Sequence, residues 1–244
     1  MISWPDREPD TTTSVHWLQG SRSYVDLRQP AQGPDFSRVR SLADLSWSDC
    51  IWLARQQGFA GELHFDGTYF EWHRHIDFQP RSLEADAGSL TWNGNVLVEK
   101  GRDSEYVEHW HREPSSASLP VFALTLREAD RETKATLLRV GPVFMYARER
   151  TVPLKGRVLS ECVSAAQSLE EARELVNCEI SLGAATTSGF RITASTLPYR
   201  VGDLLDPRFD GRSMTISDRA PDAATWQRRW EIVAAEGDWA AAAR

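Results

Sequence analysis

The chain has 244 residues, a formal net charge of −7 and a sequence pI near 5.4. Proteins that bind the phosphate backbone usually carry a concentrated basic face, so this acidic composition predicts no nucleic-acid partner. No run of about 18 consecutive apolar residues occurs, so the sequence predicts no membrane-spanning helix. The oligomeric state is left open by the sequence.

Three cysteines are present, and none of them forms a CxxC motif. The odd count and the spacing favour neither a disulfide framework nor a zinc knuckle, so we expect free thiols. The first residues are polar and acidic without an apolar segment, which is unlike a secretory signal. These features predict a cytoplasmic protein, and no cofactor is expected.

The first half of the chain reads mainly as antiparallel strands joined by turns. Residues 1–13 are expected to form a loose leader. Asp66-Gly67 and Asn93-Gly94 are typical hairpin turns, and Ser48 is expected to begin a short helix that Gly58 ends. The predicted strands cover residues 15–18, 24–28, 59–65, 67–80, 82–92, 96–99 and 105–112.

The second half repeats this pattern with two short helices. One helix is expected within residues 154–168, and a capping-box spacing that begins at Ser168 predicts a helix over 170–176. The final segment, residues 225–235, fits either a helix or a strand, and a strand is favoured. The other predicted strands are residues 121–128, 135–140, 144–150, 178–182, 190–196 and 214–217.

Residues 113–120 contain two prolines and form the best internal boundary. We therefore predict an all-β protein of two lipocalin-like antiparallel β-barrels with a few short helices. The N-terminal barrel is assigned to residues 1–114 and the C-terminal barrel to residues 120–244. Several antiparallel strands at regular spacing are typical of such barrels.

A faint internal repeat is consistent with two copies of one β unit. Four residues of the predicted 67–80 strand return 74 positions later as the same or a similar residue. The pairs are Gly67 with Gly141, Phe70 with Phe144, Trp72 with Tyr146, and Arg74 with Arg148.

Several short motifs, in this order, resemble the fungal Hri family over about residues 15–141. They are Tyr24-Val-Asp-Leu-Arg28, Gly58-Phe-Ala-Gly61, Trp72-His-Arg-His-Ile-Asp77, Asp86-Ala-Gly88, Glu99-Lys-Gly101, Tyr106-Val-Glu-His-Trp110 and Leu138-Arg-Val-Gly141. The resemblance implies a pair of lipocalin-like (calycin) barrels without a settled biochemical activity. Of the paired histidines, only His75 matches the family pattern, so the resemblance bears on fold more than on function.

Two HxH motifs, His73/His75 and His109/His111, are the clearest candidate metal ligands. On a strand, residues i and i+2 point to the same face, so two such strands side by side would offer four imidazoles. Alternation along residues 67–80 instead places His73 and His75 on the polar face, which favours a solvated surface. No metal site is therefore assigned.

The same alternation places Arg74 on the face that carries Phe70, Trp72, Ile76 and Phe78. A buried arginine needs a partner, which would be an internal carboxylate or the carboxylate of a ligand. The internal partners considered are Asp26, Glu99 and Glu108. A structural ion pair and a ligand site both remain open.

The preferred function is the binding of a small apolar, amphipathic or carboxylate ligand in a barrel cavity. The candidate ligand-binding residues are Phe70, Trp72, Arg74, Tyr106, Trp110 and Arg112. One alternative is an enzyme that uses a barrel site, with metal on the HxH pairs or with acid–base carboxylates such as Asp77. Another is a protein-interaction module whose barrels are filled by side chains. No nucleophile elbow, phosphate loop or GxGxxG motif is present.

Overall fold

The computed structural model describes residues 2–4, 7–113, 119–128, 131–187, 189–220 and 223–239. Strands dominate these residues and form two antiparallel sheets. The first sheet contains β1 (Ile2–Trp4), β2 (Arg7–Asp10), β3 (Thr13–Gln19), β4 (Ser23–Pro30), β5 (Gln57–Phe65), β6 (Phe70–Asp77), β7 (Ala87–Asn93), β8 (Val96–Gly101) and β9 (Val107–His111).

The second sheet contains the strands that follow residue 120. They are β10 (Val121–Arg127), β11 (Lys134–Val140), β12 (Val143–Arg148), β13 (Glu179–Thr186), β14 (Gly189–Ser195), β15 (Arg208–Asp210), β16 (Ser213–Arg219) and β17 (Thr225–Gly237). The helices are α1 (Trp47–Leu53), α2 (Leu159–Ser164) and α3 (Leu169–Val176). The all-β prediction with a few short helices is therefore confirmed.

Both sheets curl into barrels, which we call the N-terminal barrel (β1–β9) and the C-terminal barrel (β10–β17). The strand order is β2-β1-β9-β8-β7-β6-β5-β4-β3 in the first and β14-β13-β12-β11-β10-β17-β16-β15 in the second. In the C-terminal barrel, the backbone N–H of Leu205 donates to the carbonyl oxygen of Phe190, and the carbonyl oxygen of Leu205 accepts the N–H of Ser217. This segment therefore links β14 to β16 and brings the two ends of the sheet together.

The two predicted hairpin turns and the C-terminal strand are confirmed. Gly67 and Gly94 both have positive φ, at 101° and 58°, which favours glycine at these turns. Residues 225–235 lie within β17, where the pairing with β10 and β16 holds them extended. Ser168 accepts the N–H of Glu171 and begins α3, as the spacing predicted.

Four details of the sequence reading are wrong. Gly58 does not end α1, which ends at Leu53, because Gly58 lies within β5. Residues 2–4 and 7–10 are not part of a loose leader, because they form β1 and β2, which pair with each other, and β1 also pairs with β9. Ser46, not Ser48, begins α1, since its hydroxyl accepts the Asp49 N–H while the Asp49 carboxylate accepts the Ser46 N–H. The strand predicted over 82–92 begins only at Ala87. Residues 114–118 of the predicted linker lie outside the described residues.

Three apolar clusters stabilise the fold. One lies inside the N-terminal barrel around Tyr24, Phe59 and Trp72, and one fills the C-terminal barrel. The largest, which we call the inter-barrel core, combines outer faces of β4–β6 and β11–β13 with all three helices. Its buried members include Leu27, Ile76, Phe78, Met145 and Ile180. Independent folding of the two halves stays a prediction.

None of the described helices is both long and apolar enough to span a membrane.

Candidate functional site

A β-bulge in β6 determines which side chains enter the N-terminal barrel. Ala60 pairs with Ile76 but Gly61 pairs with Arg74, so His75 is an extra residue on β6. An extra residue reverses the alternation of the strand beyond it. A Cβ on Gly61 would lie 1.9 Å from the backbone oxygen of His73, so the bulge requires glycine there.

The predicted common face of β6 is therefore wrong. Before the bulge, Trp72 and Arg74 point into the barrel interior. After it, Ile76 and Phe78 join the inter-barrel core instead. Asp77, predicted on the outer face, has a buried carboxylate that contacts Arg74.

The interior of the N-terminal barrel contains a cavity of about 160 Å³. Four predicted site residues line it, namely Trp72, Arg74, Tyr106 and Trp110. The complete lining is Trp17, Asp26, Arg28, Phe59, Trp72, Arg74, Asp86, Glu99, Tyr106, Glu108 and Trp110. We call this space the barrel cavity.

The other two predicted site residues lie outside the barrel cavity. Phe70 stacks on Phe65 at 4.5 Å between ring centroids, at the end of the β5–β6 hairpin. Arg112 follows the last residue of β9, and its guanidinium lies 4.6 Å from the ring centroid of the exposed Trp92. Arg112 therefore contributes no charge to the cavity.

Both arginines of the barrel cavity are held by carboxylates of the protein. Arg74 pairs with Asp77 at 3.2 Å and with Asp86, and its guanidinium lies 3.6 Å from the centroid of Phe59. Arg28 pairs with Asp26 and Glu108, both at 2.9 Å. The predicted partners of Arg74 are therefore wrong, because two of the three belong to Arg28.

Glu99, the third predicted partner of Arg74, is the one carboxyl group of the cavity lining that pairs with no described arginine. Its oxygens accept hydrogen bonds from the Tyr106 hydroxyl at 2.7 Å and from Trp110 Nε1 at 2.9 Å. Among the described residues it forms no ion pair. Burial, reinforced by the nearby charge of Glu108, raises the pKa of Glu99 to about 7.

The cavity thus combines aromatic walls with an excess of acidic groups. Four carboxyl groups but only two guanidinium groups line it. Two donors also lack an acceptor within the described part of the chain, Trp17 Nε1 and Arg74 Nε. The basic amino group of a ligand would give Glu99 a cationic partner, and a neutral oxygen atom on the same ligand would accept one of these two N–H groups.

The histidine pairs are not brought together. His73 and His75 are exposed on β6, where His73 contacts Glu71 at 2.9 Å and stacks on His64 at 4.2 Å. His109 and His111 lie on β9, and β7 and β8 separate the two strands. The hypothetical side-by-side arrangement is therefore wrong. No group of three metal-ligating side chains occurs among the described residues.

The interior of the C-terminal barrel is filled differently. Buried Trp230, Phe144 and Tyr146 occupy much of it. Arg148, which repeats Arg74 in the sequence, is also buried, with its Nε 4.0 Å from Glu179. Glu179 itself is paired with Arg200 at 3.1 Å. The two arginines of the repeat therefore both point inward, but only the first contacts the barrel cavity.

Sequence reasoning missed Trp17, Phe59 and Asp86 as cavity residues. Trp17 shares a face with Val15 and alternates with His16 on a predicted strand, so its inward face was detectable. Asp86 precedes β7 and reaches Arg74 because the β6–β7 pairing continues to Trp72, whose backbone N–H donates to the Asp86 carbonyl oxygen at 2.8 Å. No sequence pattern indicates that contact.

Replacing Glu99 with glutamine is expected to change how stability depends on pH. The pKa is about 7 in the folded protein and near 4.5 in the unfolded chain, so the folded state binds more protons between these values. The contribution of Glu99 to stability is therefore lost as pH rises from about 4.5 to 7. The free energy of unfolding of Glu99→Gln relative to that of the parent chain should therefore rise by roughly 2–3 kcal/mol between pH 5 and pH 8.

Urea unfolding of both proteins at the two pH values measures this gain. Glu84→Gln is the matched control, because Glu84 is exposed in the loop before β7. A constant difference between Glu99→Gln and the parent chain at both pH values would contradict the assignment.

No protein-family model matches the chain, and no curated protein matches it. Among solved structures, the chain is similar to the crystal structure of the uncharacterized protein YLR301w from Saccharomyces cerevisiae. The TM-score is 0.51 at 11% sequence identity, over 97% of this chain and 96% of that chain. At this identity the likeness shows the fold alone, and it extends over both barrels.

Proposed function

We propose that the protein binds a small, ring-sized organic amine in the barrel cavity. The observation that carries the proposal is an aromatic cavity whose only carboxyl without an arginine, Glu99, lies on its wall among the described residues. The proposal keeps the expected barrel binding function but changes the ligand class. A carboxylate ligand is replaced by a basic one.

Size limits the ligand. An engineered apolar cavity of about 150 Å³ in another protein holds benzene, whereas drug-sized ligands occupy roughly 300–1,000 Å³. The barrel cavity, at about 160 Å³, therefore suits a molecule of one ring with a short substituent. A long fatty-acid chain is too large for this volume.

The charged groups that line the barrel cavity favour a cationic ligand. Arg28 and Arg74 already contact two carboxylates each, so a ligand carboxylate would compete with Asp26, Glu108, Asp77 and Asp86. An ammonium group instead meets an available acceptor at Glu99. Tryptophan rings attract cations through their π faces, and Trp17, Trp72 and Trp110 line the same space.

The resemblance to the Hri family supports the proposal of a lipocalin-like binding barrel. A yeast protein with the same two-barrel fold agrees with a fungal family of this architecture. Membership of that family is itself part of the proposal. The three buried free cysteines support a place in the reducing cytoplasm.

Calorimetric titration with benzylamine, benzyl alcohol and benzoate tests the proposal. The three ligands share one ring and differ in charge. At pH 7.5, benzylamine is expected to bind at least about tenfold more tightly than benzoate, because like charges repel in a desolvated site. Benzyl alcohol should lie between them.

Glu99→Gln is expected to weaken benzylamine binding about tenfold and to leave benzyl alcohol nearly unchanged. Glu84→Gln, on the surface, should leave both affinities unchanged. The proposed function would be overturned if benzoate bound most tightly, or if none of the three ligands bound.

A further inference from the structure

A second concave surface lies where the two barrels meet. Residues after the bulge of β6 form one side, and the segment after β12 forms the other. The space between them is about 870 Å³, several times the volume of the barrel cavity. We call it the inter-barrel groove.

Three arginines of the inter-barrel groove have no carboxylate partner. Arg81, Arg131 and Arg150 line the groove, and no ion pair involves them within the described ranges. Many other arginines of this acidic chain are paired, including Arg28, Arg74 and Arg200. Other arginines, such as Arg55 and Arg212, also lack an ion pair among the described residues, but these three line one groove.

Backbone carbonyls orient two of these arginines without neutralising them. Arg150 donates to the carbonyl oxygens of Asp77 at 3.3 Å and Phe78 at 2.5 Å, and it lies 5.6 Å from the Phe78 ring centroid. Arg81 donates to the carbonyl oxygen of His75. A carbonyl carries no net charge, so both guanidinium groups keep their full positive charge and several free N–H donors.

Of the two acidic residues that line the groove, Asp77 pairs with Arg74 inside the barrel. Glu149 accepts the backbone N–H of Lys134 at 2.6 Å and keeps its charge, so three guanidinium groups face one unpaired carboxylate among the described residues. The chain has only three lysines, and two of them, Lys134 and Lys155, flank the groove along the sequence. The charge of the groove is therefore positive although the chain is acidic overall.

We propose that the inter-barrel groove binds the phosphate group of a small phosphorylated molecule. Guanidinium groups match phosphate oxygens in geometry and charge, and three such groups that line one groove favour a dianion over a single carboxylate. The volume exceeds that of a phosphate and falls in the range of small-molecule sites. Thr133 and Thr151 supply neutral hydroxyl groups to the remainder of the ligand.

His75, also in the groove, provides a spectroscopic reporter. Its pKa is lowered first by the partial desolvation of the ring in the groove and further by the positive charges of Lys134, Arg81 and His73, while Glu62 acts in the opposite direction. A bound phosphate would add negative charge beside the ring. The pKa of His75 should therefore rise when the groove is occupied.

Proton NMR of His75 during titration with inorganic pyrophosphate tests the proposal, with sodium chloride of equal ionic strength as reference. Pyrophosphate is expected to raise the pKa of His75, and chloride is not. Arg131→Gln should weaken pyrophosphate binding by about three- to tenfold, since Arg131 is exposed and makes no ion pair with any described residue. Arg212→Gln, an exposed arginine in the β15–β16 turn, should have no effect.

An unchanged His75 pKa at millimolar pyrophosphate would overturn the proposal, as would equal binding by the parent chain and Arg131→Gln. Binding of an Asp/Glu hexapeptide without pyrophosphate binding would also overturn it. Glu99→Gln should leave the His75 response intact, because Glu99 lines the barrel cavity instead. The two proposed sites can therefore fail separately.

Discussion

Replacing Arg200 with methionine is expected to lower the free energy of unfolding by about 3–5 kcal/mol. The side chain is 1% exposed and pairs with Glu179 and Asp203, both at 3.1 Å. It also donates to the carbonyl oxygen of Ser217 at 3.1 Å. Methionine cannot replace these contacts, so the fully buried Glu179 would lose its closest cationic partner inside the C-terminal barrel.

Thermal unfolding measures this loss, which corresponds to a fall in Tm of roughly 6–20 °C for a chain of this size. Arg208→Met is the matched control. Arg208 pairs with Asp206 at 2.8 Å, but its side chain is 74% exposed, so the change should cost at most about 1 kcal/mol. Similar losses for the two variants would show that the Glu179–Arg200 pair is not a critical element of the fold.

Replacing Phe78 with alanine is expected to destabilise both barrels together by about 3–5 kcal/mol. Phe78 is fully buried in the inter-barrel core, where strands of both sheets and the three helices meet. A cavity at this position removes contacts from both halves of the chain. We therefore expect the signals of both barrels to shift to lower urea concentration in parallel.

Urea unfolding followed by NMR of Trp72 and Trp230, one in each barrel, measures this effect. Phe65→Ala is the control, because Phe65 is 58% exposed on the β5–β6 hairpin and should cost far less. Benzylamine affinity, extrapolated to the folded state, should be unchanged in Phe78→Ala. A specific loss of ligand binding would place Phe78 on the cavity wall, as simple alternation had predicted.

The strands and their turns could be predicted from the sequence because each depends on residues that are neighbours along the chain. Alternation predicted strands at Tyr24–Arg28 and within 67–80, and Gly67 and Gly94 located the hairpins. The bulge at His75 was not readable in this way, because it depends on pairing with Gly61 across the hairpin. A single extra residue moved Ile76 and Phe78 from the predicted cavity wall to the inter-barrel core.

The charge pairing of the barrel cavity depends on curvature of the sheet. Arg28 lies on β4 and Glu108 on β9, with four strands between them in the sheet order. Only the closing curl of the sheet brings their side chains to 2.9 Å. The sequence suggested Glu108 as a carboxylate partner for a buried arginine, but it could not assign Arg28 rather than Arg74 to Glu108.

The repeat also shows the limits of local similarity. Arg74 and Arg148 lie at matching positions and both point into a barrel. Their surroundings differ, since Arg74 contacts an open cavity and Arg148 lies near the buried Glu179 and Tyr146. A ligand site in one barrel therefore does not imply one in the other.

The central claim is that a ring-sized amine enters the N-terminal barrel and contacts its tryptophans. The most direct test follows the ten indole N–H signals of the chain by ¹H–¹⁵N NMR during a benzylamine titration. We expect saturable shifts at Trp17, Trp72 and Trp110, which line the cavity, and none at Trp230 in the C-terminal barrel. Unchanged signals for the three cavity tryptophans at saturating benzylamine would contradict the claim.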